Sequence, residues 1–530
     1  MPSTLKVILL NYPYLQSELR GIGVQAISVG LTSDCDRVLA PDEYNLDRIL
    51  AVAGFTPDWI IFVDSLARVI PAGIEASPFP LAAIYIDSVI NRFWQHPLAH
   101  LFDLVLVDQA ADARTLQDAG LPARWFPLAA DTRIYQPVTQ PRLFDISFIG
   151  NRSPTNRIKR ENLLRRLSSR FRVQIFDGNP PVSAEQAALI HSRSRLALNE
   201  NLFPSVNLRL FEAMASGAAV LTEEVDADLN LLFHDRKHVI IYNPDNLLKQ
   251  VEYYLSHEAA REAVARAGCE LVQRRHSFEV RARELLSLLL QHQPPPQLPK
   301  WVRFAALGEA LVHYEAKWPG RDPSALTRAG QLLEKSISVH PTPEALINLG
   351  KLHQLAGNTT VALRCFQAAA VKSAGWRAPL YQGMLLGELN RGEESRCALT
   401  RAQTAVGTSG NAGEVLIPGT AAFHKFWGER LLEAGMEFSP GLMQFNLPMS
   451  FWNALEHLTC AARLDRSHWE SVGDLLLRAG VPDQALMAYR NAGEGIPESK
   501  LRQAKRGAYE ELPETEDLLP GVRRAAAYTS

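Results

Sequence analysis

The sequence predicts an α/β protein followed by an all-α region, with two doubly wound α/β domains and a C-terminal array of helical repeats. Three observations lead to this fold class. Short continuous apolar runs alternate with amphipathic stretches through the first part of the chain, and the alternation starts again after a Pro-containing linker near residues 136–141. Beyond a proline-rich segment at 294–299, almost every stretch has helical periodicity.

The composition is that of a globular protein with several domains. The chain has 530 residues, of which 47% are hydrophobic and 21% charged, and its formal net charge is −2. At roughly 100–200 residues per domain, this length suggests about three domains. A near-neutral charge argues against a dedicated nucleic-acid-binding protein, which usually carries a basic excess.

Cysteine usage and hydropathy indicate a cytoplasmic protein. The 5 cysteines have no CxxC spacing, which argues against a disulfide scaffold or a structural zinc site. The N-terminus runs directly into an apolar strand-like stretch, without the basic-then-apolar order of a secretory signal. Since no uncharged apolar run approaches the ~20 residues of a membrane helix, we expect no transmembrane segment.

The first predicted domain covers residues 1–140 and contains a parallel sheet. Its apolar run WIIFV at 59–63 suits a strand that is buried on both faces. Stretches long enough for crossover helices separate the strands. The predicted strands lie at 6–11, 58–64, 81–87, 101–108 and 124–128.

The second predicted domain, residues 141–293, repeats this pattern. Two consecutive βαβ series imply two Rossmann-like domains that face each other, with the ligand site in the cleft between them. The predicted strands lie at 145–149, 172–176, 196–199, 218–222 and 238–242, and the predicted helices include 154–169 and 207–216.

A linker at 294–300 is predicted to lead into a helical region at 301–510, with a tail at 511–530. Two segments of this region match at a constant offset of 123 residues, and a weaker copy surrounds Gly428 and Gly435. Their spacing resembles the tetratricopeptide pattern, in which small residues let paired helices approach closely; a generic helical bundle is the alternative. The matching residues are Leu346, Leu349, Gly350, Gly357, Ala362, Phe366 and Ala369, and Trp469, Val472, Gly473, Gly480, Ala485, Tyr489 and Ala492.

The stretch 199–224 carries the most chemical information. A strand is predicted to end at Asn199, and after a short loop a helix is predicted over 207–216, with Arg209 and Glu212 on a polar stripe apart from its apolar face. A helix N-terminus at the carboxyl edge of a parallel sheet is a natural diphosphate site. A carboxylate one turn inside, Glu212, can accept hydrogen bonds from a ribose diol. The alternative is an exposed ion pair between Arg209 and Glu212.

This unit resembles the nucleotide-sugar-binding half of two-Rossmann (GT-B) glycosyltransferases, and most closely the spore-maturation-protein-like (CgeB-like) group. The segments FDISFIGNR at 144–152 and VEYYL at 251–255 agree with that resemblance, which covers roughly residues 1–290. It implies a metal-independent glycosyltransferase without a cofactor. Its substrate would be a nucleotide-sugar donor such as a UDP-, GDP- or dTDP-sugar.

The resemblance also implies a set of donor-binding residues. In related retaining enzymes a Glu-x7-Glu motif ends in the carboxylate matched here by Glu212, but Pro204 stands eight positions earlier, so the stereochemical outcome stays open. Arg152 and Arg157 stand where the family places cations on the donor diphosphate. Most of the basic stretch at 159–170 is expected to be a solvated helix face. The predicted donor-binding residues are Gly150, Asn151, Arg152, Arg157, Asn199, Asn201, Asn207, Arg209 and Glu212.

A base for the acceptor hydroxyl is expected from the first domain if the transfer inverts configuration. Strand ends there supply Asn11, Asp64 and Asp87. Asp87 is the first candidate and His96 the second, although either side chain can instead cap a helix. In the second domain His191 precedes the donor strand and can equally be a satisfied buried histidine.

Two Asp-x-Asp strings raise the question of a metal. Asp34-Cys-Asp36 and Asp226-Ala-Asp228 have the form of the metal–nucleotide ligands of single-Rossmann transferases. Neither follows a strong strand, and we interpret both as turns. No metal site is therefore predicted.

Together these patterns predict a cytoplasmic glycosyltransferase whose helical repeats recognise a protein acceptor or partner, and no nucleic acid. Two alternatives remain at this point. One is transfer to a lipid-linked or polysaccharide acceptor. The other is a non-catalytic scaffold in which the nucleotide-sugar fold presents the repeats.

Overall fold

A computed structural model describes residues 4–64, 69–152, 157–178, 181–224, 227–292, 298–320, 322, 324–407, 416–435 and 445–510. Contacts divide these residues into two compact units. The first unit combines the described residues of 1–129 with those of 275–468, and the second combines those of 130–274 with those of 469–510. Each unit therefore joins one α/β part to a portion of the helical region.

The first unit begins with a parallel sheet, described with seven strands in the order β3-β2-β1-β4-β5-β6-β7. All the strands predicted for this sheet are present, whereas β2 and β3 were not predicted. Its strands are β1 (Lys6–Leu10), β2 (Gln25–Gly30), β3 (Arg37–Val38), β4 (Trp59–Val63), β5 (Leu81–Tyr85), β6 (Leu104–Val107) and β7 (Ala123–Trp125), and its helices are α1 (Gln16–Gly21), α2 (Leu46–Ala53), α3 (Ser88–Ala99) and α4 (Ala110–Asp118).

The second unit begins with a parallel sheet described with five strands in the order β12-β11-β10-β8-β9. Every predicted strand of this sheet is present within a few residues. The predicted helix at 154–169 is observed from Ile158 onward, and its predicted start lies outside the described residues. The strands are β8 (Phe144–Gly150), β9 (Val173–Asp177), β10 (Ser194–Asn199), β11 (Ala219–Glu223) and β12 (Ile240–Tyr242), and the helices are α5 (Ile158–Ser168), α6 (Ala184–Ser192), α7 (Leu208–Ala215), α8 (Ala227–Leu232), α9 (Leu247–Ser256) and α10 (Glu258–Arg275).

After α10 the chain returns to the first unit through α11 (Phe278–Gln291). The first sheet buries apolar side chains on both faces, with Ile8 in one core cluster and Val7 in the other. Leu285 of α11 belongs to the second of these clusters, and the rings of Tyr14 and Phe278 lie 5.4 Å apart. Burial on both faces explains why continuous apolar runs identified these strands.

The remaining helices are arranged in consecutive antiparallel pairs, α12 with α13, α14 with α15, α16 with α17, α18 with α19, and α20 with α21. The predicted fold class, α/β followed by all-α, is thus confirmed. The helices are α12 (Lys300–Lys317), α13 (Ala325–Val339), α14 (Pro343–Leu355), α15 (Thr359–Lys372), α16 (Arg377–Glu388), α17 (Gly392–Ala405), α18 (Ala421–Glu433), α19 (Ala454–Leu464), α20 (Trp469–Arg478), α21 (Pro482–Ala492) and α22 (Glu498–Gly507).

A glycine in the first helix of each of these pairs lies against a large side chain of the second helix. A Cβ atom on Gly350 would lie 2.5 Å from the Phe366 ring, and one on Gly473 would lie 2.2 Å from the Tyr489 ring. The same contact joins the other pairs, so the glycine is the packing residue of a repeating unit. These further contacts are Gly308 with Leu333, Gly383 with Leu399, and Gly428 with Leu458.

Helices α20, α21 and α22 pack on the second sheet rather than with the first unit. Tyr509 is 3% exposed and belongs to the same apolar cluster as β8, β10 and β12. The amide of Asn162 in α5 donates to the carbonyl of Ala508 at 3.0 Å, and Arg506 pairs with Asp245. The domain boundaries predicted near residues 140, 293 and 300 stay predictions, and the predicted tail lies outside the described residues.

Candidate functional site

The loop after β10 and the start of α7 form the centre of the site in the second unit. Asn207 is the N-cap of α7, where its side chain accepts a hydrogen bond from the amide of Leu210 at 3.2 Å. Its own amide donates to the side chain of Asn201, which is 3% exposed. The strand–loop–helix unit predicted from the sequence is therefore present, and a cap of this kind fixes the direction of the helix N-terminus.

Arg209 lies in the first turn of α7 and reaches back over the strand ends. Its guanidinium donates to the carbonyl of Glu200 at 3.4 Å and to Asn199 Oδ1 at 3.5 Å, and lies 5.3 Å from the centre of the Phe148 ring. Burial, with the nearby Arg160 cation, lowers the pKa of Arg209 to about 10. The group remains a cation at neutral pH, held at the carboxyl edge of the sheet.

Glu212 lies one turn further along α7 and hydrogen-bonds with the hydroxyl of Tyr135. Burial raises the pKa of Glu212, opposed by that hydrogen bond and by Arg209. Neither Arg209 nor Glu212 is exposed, and no ion pair joins them in the described part of the chain. The alternative interpretation, an exposed helical ion pair, is wrong because both side chains point into the packed edge of the sheet.

The basic stretch at the start of α5 is buried, which corrects the expectation of a solvated helix face. Lys159, Arg160 and Arg166 are 9%, 3% and 4% exposed. Lys159 Nζ lies 2.9 Å from Glu223 Oε2 and 3.0 Å from the carbonyl of Asn201. Lys159 and Arg160 are buried against the strand-end carboxylates Glu223 and Glu200. Helix α21 packs on α5, and the Tyr509 ring centre lies 5.8 Å from the Arg166 guanidinium, contacts of which sequence periodicity gives no sign.

Arg160 connects this buried network to the end of β8. Its Nε lies 2.5 Å from Glu200 Oε2, and its Nη1 donates to the carbonyl of Asn151 at 2.6 Å. The guanidinium also lies 5.3 Å from the centre of the Phe148 ring, as that of Arg209 does. Each guanidinium therefore makes a cation–π contact with the Phe148 ring beside the strand end. Such a contact contributes about 0.5–2 kcal/mol. Phe148 and Glu200 were not among the predicted site residues.

Gly150 ends β8 at a point where no side chain fits easily. A Cβ atom there would lie 3.0 Å from Phe148 and 3.1 Å from Arg209 Nη2. The absence of a side chain thus lets the Arg209 guanidinium approach the strand end. Of the predicted donor-binding residues, the structure brings together Gly150, Asn151, Asn199, Asn201, Asn207, Arg209 and Glu212 around β8, β10 and α7.

The two other predicted cations differ in their surroundings. Arg152 is held by Glu161, with Nε 2.8 Å from Oε1 and Nη2 2.5 Å from Oε2. Its charge is therefore already paired. Arg157 is the residue before α5, and burial together with Arg160 lowers its pKa.

His191 lies at the end of α6 and is 2% exposed. Its Nδ1 has no hydrogen-bond partner among the described residues, so it is a buried histidine but not a fully satisfied one. Burial, together with the Arg209 charge, lowers its pKa to about 3. The imidazole is therefore neutral over the physiological range.

The carboxyl edge of the first sheet holds the predicted base. Asp87 is exposed at the N-cap position of α3, in the left-handed region with φ 54°. Asp108, at the end of β6, accepts hydrogen bonds from the amides of Asp87 at 3.0 Å and Ser88 at 3.2 Å, and burial raises its pKa to about 6. Asp108 was not predicted as a site residue, although it ends a predicted strand as Asp64 and Asp87 do.

The second candidate base, His96, lies two turns along α3 from Asp87. It lines a cavity of about 400 Å³ formed with the helical part of the first unit. The structure therefore places the two candidates at different parts of the same helix. Asn11 and Asp64 are buried at the sheet edge, where Tyr44 donates to Asn11 Oδ1 at 2.6 Å and Gln95 donates to Asp64 Oδ2 at 2.5 Å.

The first Asp-x-Asp string makes hydrogen bonds to neighbouring side chains of the first unit. Asp36 accepts hydrogen bonds from Gln16 and Arg20, each at 2.5 Å. Asp226 lies outside the described residues, and Asp228 is in the first turn of α8. Within the described ranges, no group of 3 or more His, Cys, Asp or Glu side chains is arranged to hold a metal ion, and no helix is long and apolar enough to cross a membrane.

Comparison with known families gives one match in sequence. Residues 155–287, about a quarter of the chain, match the family described as glycosyl transferase-like. This segment contains α5, the β10–α7 loop, Arg209 and Glu212. No curated protein matches the sequence.

Several solved structures are similar to part of the chain. Anabaena HepE in complex with UDP and glucose is 12% identical over 54% of this chain and 99% of its own, with a TM-score of 0.43. Sucrose-phosphate synthase from Thermosynechococcus elongatus is 13% identical over 54% of this chain and 98% of its own, with a TM-score of 0.40. The pneumococcal O-GlcNAc transferase GtfA is 14% identical over 44% of this chain and 56% of its own, with a TM-score of 0.30.

Proposed function

We propose that the chain is a glycosyltransferase that binds a nucleotide-sugar donor at the β10–α7 edge of the second sheet. The observation that carries this proposal is that α7 places two charged side chains one turn apart at this edge. They are the cation of Arg209 and the carboxylate of Glu212, and no ion pair joins them in the described residues. Both lie in the segment that matches the glycosyl transferase-like family. Their chemistry suits the two polar parts of a sugar nucleotide.

The diphosphate is assigned to Arg209 and the N-terminal turn of α7. A helix N-terminus presents free N–H groups and a partial positive charge, and a guanidinium adds charge-assisted hydrogen bonds. Lys159 and Arg160 are already paired with Glu223 and Glu200, whereas Arg209 forms no ion pair among the described residues and its charge is open to a ligand. Such groups stabilise the nucleoside diphosphate as it leaves and gains negative charge.

The ribose is assigned to Glu212. A carboxylate accepts hydrogen bonds from both hydroxyls of a ribose diol, and the Tyr135 hydroxyl fixes its position. We further propose that transfer proceeds without a metal ion or cofactor, as in the CgeB-like group. Arg152 and Arg157 complete the proposed donor contacts from the β8 side.

For the acceptor side, we propose that Asp87 takes the proton from the acceptor hydroxyl. It is exposed at the carboxyl edge of the first sheet, where acceptor-side groups are expected. His96 remains the second candidate. The acceptor is proposed to be a cytoplasmic protein that the tetratricopeptide-like helix pairs recognise.

The test begins with a thermal-shift screen of the full chain against UDP, GDP, dTDP and their sugars. With the nucleotide found, Glu212→Ala should weaken donor binding about 10–100-fold, because hydrogen bonds to charged groups contribute about 1.5–3 kcal/mol. Glu252→Ala, which removes an exposed glutamate of α9, should leave affinity unchanged.

Asp87→Asn separates binding from transfer. It should keep the donor Kd and slow the release of free nucleoside diphosphate at least 100-fold. Donor binding without any turnover in the unchanged chain would favour a scaffold. No binding of any nucleotide or sugar nucleotide would refute the proposal.

A further inference from the structure

The first unit contains a cavity of about 400 Å³ between α3 and the first helices of successive helix pairs, α12, α14 and α16. Residues 447–453 line its remaining side. Its volume falls within the range of about 300–1,000 Å³ that is usual for small-molecule sites. The proposed donor residues belong to the second unit, whereas the lining residues of this cavity, which include the second candidate base His96, belong to the first.

Lys351 is the most unusual side chain of this cavity. It is 1% exposed, and its Nζ lies 5.1 Å from the Tyr381 ring centre and 5.2 Å from that of Phe451. Within the described residues, no carboxylate lies at ion-pair distance from it. A buried ammonium without a counterion is costly, and contact with aromatic faces offsets only part of that cost.

Arg377 adds a second cation to the same cavity. Its Nε has no hydrogen-bond partner among the described residues, and the nearby Tyr381 hydroxyl has none either. Arg377 also lowers the pKa of Lys351, after burial itself, because like charges repel. Two cations held close together in a buried space favour the entry of an anion.

The neighbouring groups compensate the charge of this pair only in part. Glu309 hydrogen-bonds with Asn348, and burial raises its pKa. His313 shares Asn348 and is neutral, since burial holds its pKa well below the usual value. On the α3 side Arg92 is paired with Asp112 at 2.5 Å. Glu309 acts electrostatically on both Lys351 and Arg377 but forms no ion pair with either among the described residues, so one carboxylate compensates two cations only in part.

We propose that this cavity binds a small organic oxyanion, a carboxylate or phosphate ester on a flat apolar group. The oxyanion lies between Lys351 and Arg377, and the apolar part lies against Phe451 and Trp452. Phe93 and His96 of α3 bound the opposite side. The cavity therefore accepts a molecule of about one substituted ring rather than an extended peptide.

The test uses the full chain and four probes, phenyl phosphate, benzoate, inorganic phosphate and the neutral benzyl alcohol. We expect saturable stabilisation and calorimetric binding with phenyl phosphate or benzoate, and whichever binds tighter identifies the oxyanion. Inorganic phosphate should bind at least tenfold more weakly, and benzyl alcohol should not bind. Equal binding of benzyl alcohol would overturn the proposal, because charge would then not be recognised.

Three variants assign the signal to this cavity. Lys351→Met should leave the melting temperature of the unliganded chain unchanged or raise it, because an unpaired buried cation is lost, and should weaken oxyanion binding at least tenfold. Glu309→Gln should strengthen that binding, because it removes a neighbouring negative charge. Lys372→Met, at an exposed lysine of α15, should change neither. A large fall in melting temperature for Lys351→Met, or oxyanion binding that survives it, would overturn the proposal.

Discussion

Burial and hydrogen bonding act in opposite directions on the proton of Glu212. Burial raises its pKa, and the Tyr135 hydroxyl and the Arg209 cation oppose that shift without cancelling it. Only the ionised carboxylate accepts hydrogen bonds with both oxygens from a ribose diol. Under the proposed function, donor affinity is therefore linked to the ionisation of one side chain.

We expect donor affinity to fall on acidification, beginning at a higher pH than an exposed glutamate would give. The sign follows from the raised pKa, because the carboxylate takes up its proton earlier as the pH decreases. A sugar nucleotide is the right ligand, since its diphosphate diester keeps its charge over this range. Calorimetric Kd values between pH 8 and pH 5 measure the effect.

Glu212→Gln provides the control for this pH dependence. Its amide retains one acceptor oxygen and does not titrate, so affinity should be lower at pH 8 and nearly constant down to pH 5. His191, with a pKa of about 3, does not titrate in this window. An equally steep pH profile in Glu212→Gln would show that another group is responsible.

Sequence spacing identified Arg209 and Glu212 because both belong to one helix whose periodicity is readable. Tyr135, Phe148 and Glu200 were missed, because each contributes through packing between separate elements. Such contacts have no local signature. Similarly, the basic face of α5 reads as solvated from its composition, yet the residues that cover it lie more than 300 positions later in the chain.

At the scale of elements, the helix pairs depend on a glycine that faces a bulky residue. The turn between paired helices also repeats, with Gly357, Gly435 and Gly480 in the left-handed region. In the α16–α17 pair Asn390 takes this position with φ 59°. Asparagine tolerates that conformation better than most residues, so this turn forms without a glycine.

We expect Gly350→Ala to destabilise the first unit by about 1–3 kcal/mol, the usual cost of overpacking. Its new methyl group would lie 2.5 Å from the Phe366 ring, which is fully buried, so the ring or the helix must shift. Gly330→Ala, inside α13, is the matched control, since its methyl group would lie 3.8 Å from the nearest neighbouring side chain, Leu352 of α14. That change should stabilise by up to about 1 kcal/mol through helix propensity. Urea unfolding midpoints of the two variants should move in opposite directions.

The strands were predictable to different degrees for a physical reason. Strands that are buried on both faces, such as β4, consist of consecutive apolar residues, and the sequence predicted them as strands. β2 includes the exposed Gln25, and β3 consists of two exposed residues. β3 is an edge strand of the sheet and carries little apolar signal, and β2, which lies between β3 and β1, begins with a polar exposed residue that interrupts its apolar run.

For the whole molecule, helices α20–α22 belong to the same compact unit as the second sheet. Asp483 of α21 accepts a hydrogen bond from the Lys159 amide at 3.4 Å, and a Cβ atom on Gly480 would lie 2.4 Å from Pro204 in the β10–α7 loop. Both contacts touch the region of the proposed donor site. Helical periodicity alone gave no sign of this assignment.

We expect a chain ending at residue 468 to lose nucleotide-dependent stabilisation and to melt at a lower temperature. Its loss of α20–α22 would expose the apolar surface under Tyr509 and leave the amide of Asn162 without its partner. A chain ending at residue 510 keeps every contact described and should behave as the full chain does. Undiminished binding of the sugar nucleotide by the 468-residue chain would contradict this role.

The division of the second unit between two distant stretches of sequence also bears on how the protein is made. β12 ends at Tyr242, whereas the core that it helps to form includes Tyr509. At about 5–20 residues per second, the ribosome reaches Tyr509 roughly ten seconds to a minute later. The second sheet must therefore wait with buried cations such as Arg166 still uncovered, and a chain released early would present an incomplete unit to the chaperones and proteases of the cell.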